Sequence, residues 1–263
     1  TWASVKCEIL PRVQKLYFVP SEKLDNLIDF AYPVLRRRLG EECFLVNGLT
    51  LASLFSKEEV DSLALTLPPW ILILALAGYE WHPNERVAWQ EEAIMDLAQK
   101  AGVKPVPELS GIAGIEVLEA IQKPSSEPYW KLRSKGGCCE IFFLTTLNRI
   151  PDFVKIMHDI AQDQGFPTSN IGIYVQPVVQ GVGCHCEFDL TYNPQNIKEA
   201  EKLQSLFVLA SKALIRSGAY FSRPYGIWAD LVYSQDAEGT AILRKMKRLF
   251  DPNNIMNPGK LCF

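Results

Sequence analysis

Apolar positions along the chain alternate between a period of two and a period near 3.6, and they do so twice in the same order. Lys15 to Val19 (KLYFV) reads as a strand, and Ser21 then opens a helical stretch with Leu24, Leu27, Ile28, Ala31, Val34 and Leu35 on one face. Pro33 inside that stretch predicts a kink. Cys43 to Leu49 and Trp70 to Ala77 are again strand-like. A helix follows from Asn84, its expected N-cap, to Gly102, with Val87, Ile94, Leu97, Ala98 and Ala101 inward. After position 138 the order recurs. Cys139 to Thr146 is a strand, Ile150-Pro151-Asp152 opens a helix, and Ile171 to Val178 and Cys184 to Tyr192 are strands. Asn196 to Ser217 is the longest helix, stopped by Gly218. Each half is β-α-β-β-α, the order of a ferredoxin-like unit. The expected fold class is therefore α+β: duplicated ferredoxin-like units, at about 1–102 and 138–217, forming one large antiparallel sheet with helices on one face. The other face is then free to cover something else. Residues 103–137, rich in Pro, Ser and Gly with a short helical stretch near Ile112 to Ile121, join the halves, and 218–263 form a C-terminal segment.

Composition narrows the class. The 263 residues are 48% hydrophobic and 22% charged, ordinary for a globular chain with a sizeable core. A net charge of −3 gives no electrostatic reason for a nucleic-acid partner. Arg36-Arg37-Arg38 and Arg244-Lys245-Lys247-Arg248 fall in the last turns of predicted helices, where cations complement the dipole. The greasiest run, Pro68 to Gly78, is shorter than the ~20 residues of a membrane span and reads as a core strand. The seven cysteines are an odd set with adjacent and alternating spacings, which suits reduced thiols in a cytoplasmic protein better than a disulfide framework. No signal-peptide pattern opens the chain, and Thr1 in place of Met reads as a piece of a longer product.

Two segments carry candidate chemistry. On strand Gly183 to Tyr192, Cys184, Cys186, Phe188, Leu190 and Tyr192 share one face, and His185, Glu187, Asp189 and Thr191 share the other. A histidine beside a carboxylate has its imidazolium favoured, which makes His185 a candidate proton acceptor or ligand. The competing reading is the wet face of a half-exposed strand. Cys184-His185-Cys186 does not read as a metal site, because alternation splits the ligands between faces and the usual second ligand pair is missing. The other segment is Gly218-Ala219-Tyr220-Phe221-Ser222-Arg223-Pro224-Tyr225-Gly226. A guanidinium among phenol rings suits an anionic or phenolate oxygen, and the alternative is an ion pair with Asp230. Adjacent Cys138 and Cys139, together with His82 and His158, read as structural. Trp2, Trp70, Trp81, Trp89, Trp130 and Trp228 read as core, with Trp228 also placed to line a pocket. Gly181-Val182-Gly183 is a lone G-x-G, and no glycine-rich phosphate loop occurs.

The chain closes on Asp251-Pro252-Asn253-Asn254-Ile255-Met256-Asn257-Pro258-Gly259-Lys260. Prolines fix φ and Gly259 permits positive φ, so these turns place the terminus and leave Lys260 just beyond them. The string resembles the C-terminal signature of FAD-linked oxidoreductases of the vanillyl-alcohol oxidase and p-cresol methylhydroxylase family, where it closes the substrate ("cap") domain. The resemblance runs from Trp2 to Lys260, with the terminal motif and the Arg223 region as its specific parts.

The resemblance implies that residues 1–263 are a cap domain and that FAD is held mainly by an FAD-binding domain or subunit absent from this chain. It implies oxidation of a small alcohol or phenol-type substrate by hydride transfer to the flavin. Arg223 matches the arginine of a Tyr-Arg pair that binds the substrate's phenolate. Ser222 stands at the tyrosine, and Tyr220 and Tyr225 are nearby. His185 would face the ring or act as base, and the position of a covalent flavin link in some relatives falls at His185 or Cys186. Tyr174 and Tyr225 would wall the pocket, and Asn257 and Lys260 would lie near the flavin's polar edge. Expected partners are the FAD-binding domain and a small molecule, with homo-oligomerisation left open and neither nucleic acid nor a membrane span. Two rivals are the cap of a D-2-hydroxyacid dehydrogenase, whose histidine-rich metal motif is reduced here to His185-Cys186-Glu187, and a non-catalytic ligand-binding or assembly module.

Overall fold

The computed structural model describes residues 9–56, 59–123, 127–178 and 183–259. Trp2, Cys7, Gly181, Val182, Lys260 and Cys262 lie outside the described residues. The first half contains β1 (Val13–Ser21), α1 (Leu24–Arg36), β2 (Glu42–Asn47), α2 (Gly48–Phe55), α3 (Val60–Thr66), β3 (Trp70–Gly78) and α4 (Pro83–Ala101). A small hairpin, β4 (Glu108–Leu109) and β5 (Ile112–Ala113), then leads into α5 (Gly114–Gln122) and a single 3-10 turn at Trp130–Leu132. The second half contains β6 (Gly137–Thr145), α6 (Ile150–Asp163), β7 (Ile171–Pro177), β8 (Cys184–Tyr192) and α7 (Ile197–Arg216). Helices α8 (Ile227–Tyr233) and α9 (Ala237–Phe250) follow.

Six strands form one antiparallel sheet in the order β1-β3-β2-β7-β8-β6. The three strands of each half are neighbours, and the halves meet where β2 pairs β7 through only Leu45↔Val175 and Val46↔Tyr174. Asn47 extends this short seam. Its Nδ2 donates to Ile171 O at 2.8 Å, and its Oδ1 accepts from Ile173 N at 3.0 Å. The same oxygen caps α2 by accepting from Thr50 N at 3.1 Å.

One face of the sheet packs against α1, α4, α6 and α7. Leu27, Phe30, Ile94, Phe153, Met157 and Leu206 bury there against Val19, Leu72, Leu74, Phe143 and Phe188. The expectation of helices on one face is corrected, because α2, α3 and α5 cover the other face of the first half. There Leu49, Leu51, Val60 and Val117 pack on Phe18, Phe44, Val46, Ile71 and Ile73. This explains why β3 is apolar on every residue: it is buried on both sides. Helix α2 (GLTLASLF) is itself nearly all buried, so it has no polar face and no 3.6 period to read. Over the β7-β8-β6 part of this second face the cover among the described residues is thinner, with α2 reaching β7 and the 3-10 turn lying over β6 and β8.

Smaller differences have local causes. Helix α4 begins at Pro83 with His82 in the left-handed region, because Pro at the first helical position replaces the expected Asn84 cap. Helix α1 runs through Pro33. Trp81 and Trp89 are exposed, at 84% and 61%, and are not core residues. All five described cysteines are free, and burial first of all raises the thiols of Cys43 and Cys184 to about 12. No described helix is long and apolar enough to cross a membrane.

Candidate active site

The more open part of the second face is built by alternation. Glu140, Phe142 and Leu144 of β6 stand opposite Asp189, Glu187 and His185 of β8, and Tyr174 and Gln176 of β7 flank Glu187 and His185 on the other side. His185 Nε2 lies 2.9 Å from Glu187 Oε2. Cys184 and Cys186 point the opposite way and are buried beneath the helices, and burial pushes the Cys186 thiol far up. Of the two positions weighed for a flavin link, only His185 lies on the open face.

Against Glu187 sits a residue that sequence reasoning missed. Lys131, in the 3-10 turn, reaches over the sheet with its side chain 8% exposed. Its Nζ donates to Glu140 Oε1 at 2.7 Å and to Glu187 Oε1, and lies 3.1 Å from Asp189 Oδ1. The neighbouring Arg133 fixes this turn by donating to Leu54 O at 2.7 Å and Ser53 O at 3.1 Å, at the end of α2. The three carboxylates come within 4.8 Å of one another, and the ammonium is what they converge on. Burial opposes the Lys131 charge, yet the surrounding carboxylates outweigh it and raise the ammonium's pKa. Burial likewise opposes the Glu187 charge, but hydrogen bonds from His185 and Lys131 hold that carboxyl well below the usual range. Asp189 moves the other way, raised by burial and then by the negative Glu187, and its buried Oδ2 has no hydrogen-bond partner. The one sequence signal was a lysine six residues ahead of a strand, which an ordinary surface lysine shares.

The Arg223 loop closes one rim. Gly218, at φ 91°, ends α7, and Tyr220 then exchanges backbone hydrogen bonds with Leu144 at 2.8 and 3.0 Å on the edge of β6. Gly226 has φ 55° and ψ −132°, a conformation open essentially to glycine alone, and starts α8. That turn sends Trp228 into the core, 1% exposed, where its Nε1 donates to Ser211 Oγ at 2.8 Å. The Arg223 guanidinium stays at the surface, 4.9 Å from the Phe142 ring centre. Among the described residues no carboxylate is in ion-pair range of it, Asp230 included.

Phe142 is the hub of the arrangement. Its ring centre lies 5.7 Å from His185, 6.3 Å from Tyr225 and 5.2 Å from Trp228. Tyr174 stands 6.1 Å from His185 on the far side, and its hydroxyl donates to Gln176 Oε1 at 2.7 Å. Burial, with Glu42 and Glu187 adding, pushes the Tyr174 phenol up to about 12, and burial also raises Tyr225. Three of the candidates named from sequence, His185, Arg223 and Tyr225, thus gather around one aromatic ring, and the fourth, Tyr174, stands on the far side of His185. An open groove of about 1290 Å³ runs past Tyr174, lined also by Gln176, Lys131 and Glu187 and by apolar Phe44 and Val46.

The terminal motif is placed but not joined to this cluster. Asp251 accepts from Ile255 N at 2.9 Å and Met256 N at 2.8 Å and pairs with Lys247, whose Nζ also donates to Met256 O at 2.5 Å. The Lys247 hydrogen bond brings the Asp251 carboxyl down to about 2. Asn257 is exposed in a left-handed turn at φ 49°. Among the described residues no hydrogen bond or ring contact links it to the His185 face. Lys260 lies outside the described residues.

No curated protein matches this chain by sequence. Solved structures share its fold. A p-cresol methylhydroxylase with substrate bound superposes with a TM-score of 0.75 at 15% identity, over 96% of this chain and 53% of the other. A 4-ethylphenol oxidase from Gulosibacter chungangensis in complex with isoeugenol gives 0.69 at 15% identity, over 95% and 54%. An alkyldihydroxyacetonephosphate synthase gives 0.57 at 13%, over 94% and 45%. The chain therefore spans about half the length of these neighbours. Residues 10–261 match the family described as FAD linked oxidases, C-terminal domain, nearly the whole chain, and to that family the chain belongs.

Proposed function

We propose that this chain is the substrate-binding domain of an FAD-dependent oxidoreductase that oxidises an alcohol or phenol-type small molecule. The observation that carries the reading is the gathering of His185, Arg223 and Tyr225 around Phe142, with Tyr174 on the far side of His185, on the more open part of the sheet. Likeness to phenol-oxidising structures supports the substrate class, though their names speak only for themselves. The strand order, in which the last strand of each half lies between the first and the second, supports two ferredoxin-like units joined at β2 and β7, the first carrying α2 and α3 as an insertion between β2 and β3.

The residues present fit a flavin ring rather than its phosphates. The face offers aromatic walls and a cation without a carboxylate partner among the described residues, while the phosphates require a loop that belongs to the FAD-binding domain. When bound, the flavin supplies an acceptor for a hydride from the substrate carbon. Arg223, held over Phe142, binds the substrate's anionic oxygen. His185 takes the proton released from the substrate, and Glu187 steadies the resulting imidazolium. Tyr225 and Tyr174 exclude water on either side. Docking of the FAD-binding domain is supported by α9, where Ile242, Leu243, Met246, Leu249 and Phe250 are exposed and only Thr240 is buried.

The test is Arg223→Ala in the complete enzyme, assayed on a para-substituted phenol. Loss of a charge-assisted contact worth roughly 1.5–3 kcal/mol lowers kcat/KM about 10- to 160-fold. Unchanged kinetics would remove Arg223 from the site, and absence of any flavin-dependent turnover in the wild type would favour the binding-module reading instead.

A further inference from the structure

We propose that Lys131 is a positioning residue: by keeping Glu187 an obligate hydrogen-bond acceptor, it decides which ring nitrogen of His185 carries the proton. The inference rests on the reading of His185 as the site's base. An ionised carboxylate can only accept, so Glu187 Oε2, 2.9 Å from His185 Nε2, requires that Nε2 be the protonated nitrogen. Nδ1 is then the nitrogen with the free lone pair. When the substrate's O–H bond breaks, its proton forms the Nδ1–H bond, and the electron pair stays on the substrate oxygen. A protonated Glu187 could instead donate to Nε2 and reverse the tautomer, leaving the base with its lone pair turned inward.

Within the strand the His185 hydrogen bond favours an ionised Glu187, and Lys131 adds a positive charge in direct contact with that carboxylate. The groups that face it are Asp189 on β8, Glu140 and Cys138 on β6, Tyr174 on β7, Glu42 on β2, Tyr129 beside the 3-10 turn, and Arg223 and Tyr225 in the rim loop. Two of these are carboxylates within 4.8 Å, and like charges at that distance share protons unless a cation intervenes. Lys131 is the cation, in contact with all three carboxylates and itself 8% exposed. Among the described residues no hydrogen bond joins it to His185, while both it and His185 bond Glu187, so it acts through Glu187.

The experiment uses the wild-type chain, Lys131→Arg and Lys131→Met with nitrogen-15-labelled histidine. Long-range proton–nitrogen correlation spectra resolve the imidazoles of the three histidines, His82, His158 and His185. Wild type and Lys131→Arg are expected to show a single Nε2–H tautomer for His185, and Lys131→Met a mixture or the Nδ1–H form. The same single tautomer in Lys131→Met would overturn the proposal. Should Lys131→Met not fold, Glu187→Gln, which keeps the size and can donate, is read in the same way, and an unshifted tautomer there also overturns it. In the complete enzyme Lys131→Met lowers kcat about 10²-fold with KM nearly constant and alters the kcat–pH profile, while Lys131→Arg retains both. His185→Gln separates the two readings. If it leaves turnover intact, the assignment of His185 as base fails. If it abolishes turnover while Lys131→Met keeps the wild-type tautomer and profile, only the Lys131 inference fails.

Discussion

Phe142 points out of the sheet on the same side as Glu187, yet it is 8% exposed because Arg223, Tyr225 and Trp228 close over it. It therefore has two separable duties, filling volume under the rim loop and offering a ring face to the guanidinium. Phe142→Ala removes both and costs about 3 kcal/mol of stability. Phe142→Leu keeps most of the volume, so its unfolding free energy changes by less than about 1.5 kcal/mol. Without the ring, Arg223 loses a contact worth roughly 0.5–1 kcal/mol, and kcat/KM of the complete enzyme falls about two- to fivefold. Urea denaturation alongside kinetics separates the duties, and a Leu variant with wild-type kinetics would show that the ring does not orient Arg223. The residue scale is also where legibility in the sequence was most uneven. His185 and Glu187 could be read from strand alternation, and Arg223 from its aromatic setting. Lys131 could not, because its partners Glu140, Glu187 and Asp189 are brought to it only by strand pairing and by a turn that Arg133 anchors on α2. Trp81 and Trp89 misled in the opposite sense, since a large apolar side chain does not by itself reveal exposure.

Elements with a clean period were legible and those without one were not. The strands and the long helices α1, α4, α6 and α7 showed themselves through alternation or a buried stripe. Helices α2 and α3 did not. Gly48–Phe55 is buried nearly all round and continues an apolar strand, so nothing in the sequence marks where extended chain ends. The structure marks it with Asn47, whose side chain both caps α2 and carries the seam between β2 and β7 beyond its two backbone pairs. Asn47→Ala removes these bonds and leaves Ile171 O and Ile173 N without that partner, at a cost of about 2–3 kcal/mol for bonds worth roughly 1 kcal/mol each. Denaturant titration should show a lower midpoint with an unchanged slope. A loss under about 0.5 kcal/mol would mean that water or neighbouring backbone replaces the staple.

At the scale of the molecule, the two faces of one sheet have been given different work. The first is wholly core, and the second is core over the first half and, in the proposed reading, carries the site over the second. A site confined to one open patch is half of an enclosure, because Arg223 stands at the surface and an open groove runs past Tyr174 and Glu187 until something else closes it. The surface that would seat that closing body is α9 and the turns after it. Leu249 and Phe250 are 79% and 80% exposed, and the Asp251–Lys247 clasp holds Ile255 and Met256 outward at 78% and 63%. Such a stripe contributes little to this chain alone, so Leu249→Asp combined with Phe250→Ser should leave its thermal unfolding within about 0.5 kcal/mol of wild type. In the complete enzyme the same pair of changes removes apolar burial worth roughly 1.5–3 kcal/mol per side chain from the contact with the FAD-binding domain. Flavin retention on gel filtration and turnover should then fall together, while Arg223→Ala lowers turnover and leaves retention intact. Full retention of FAD in the α9 variant would show that the FAD-binding domain docks on another surface.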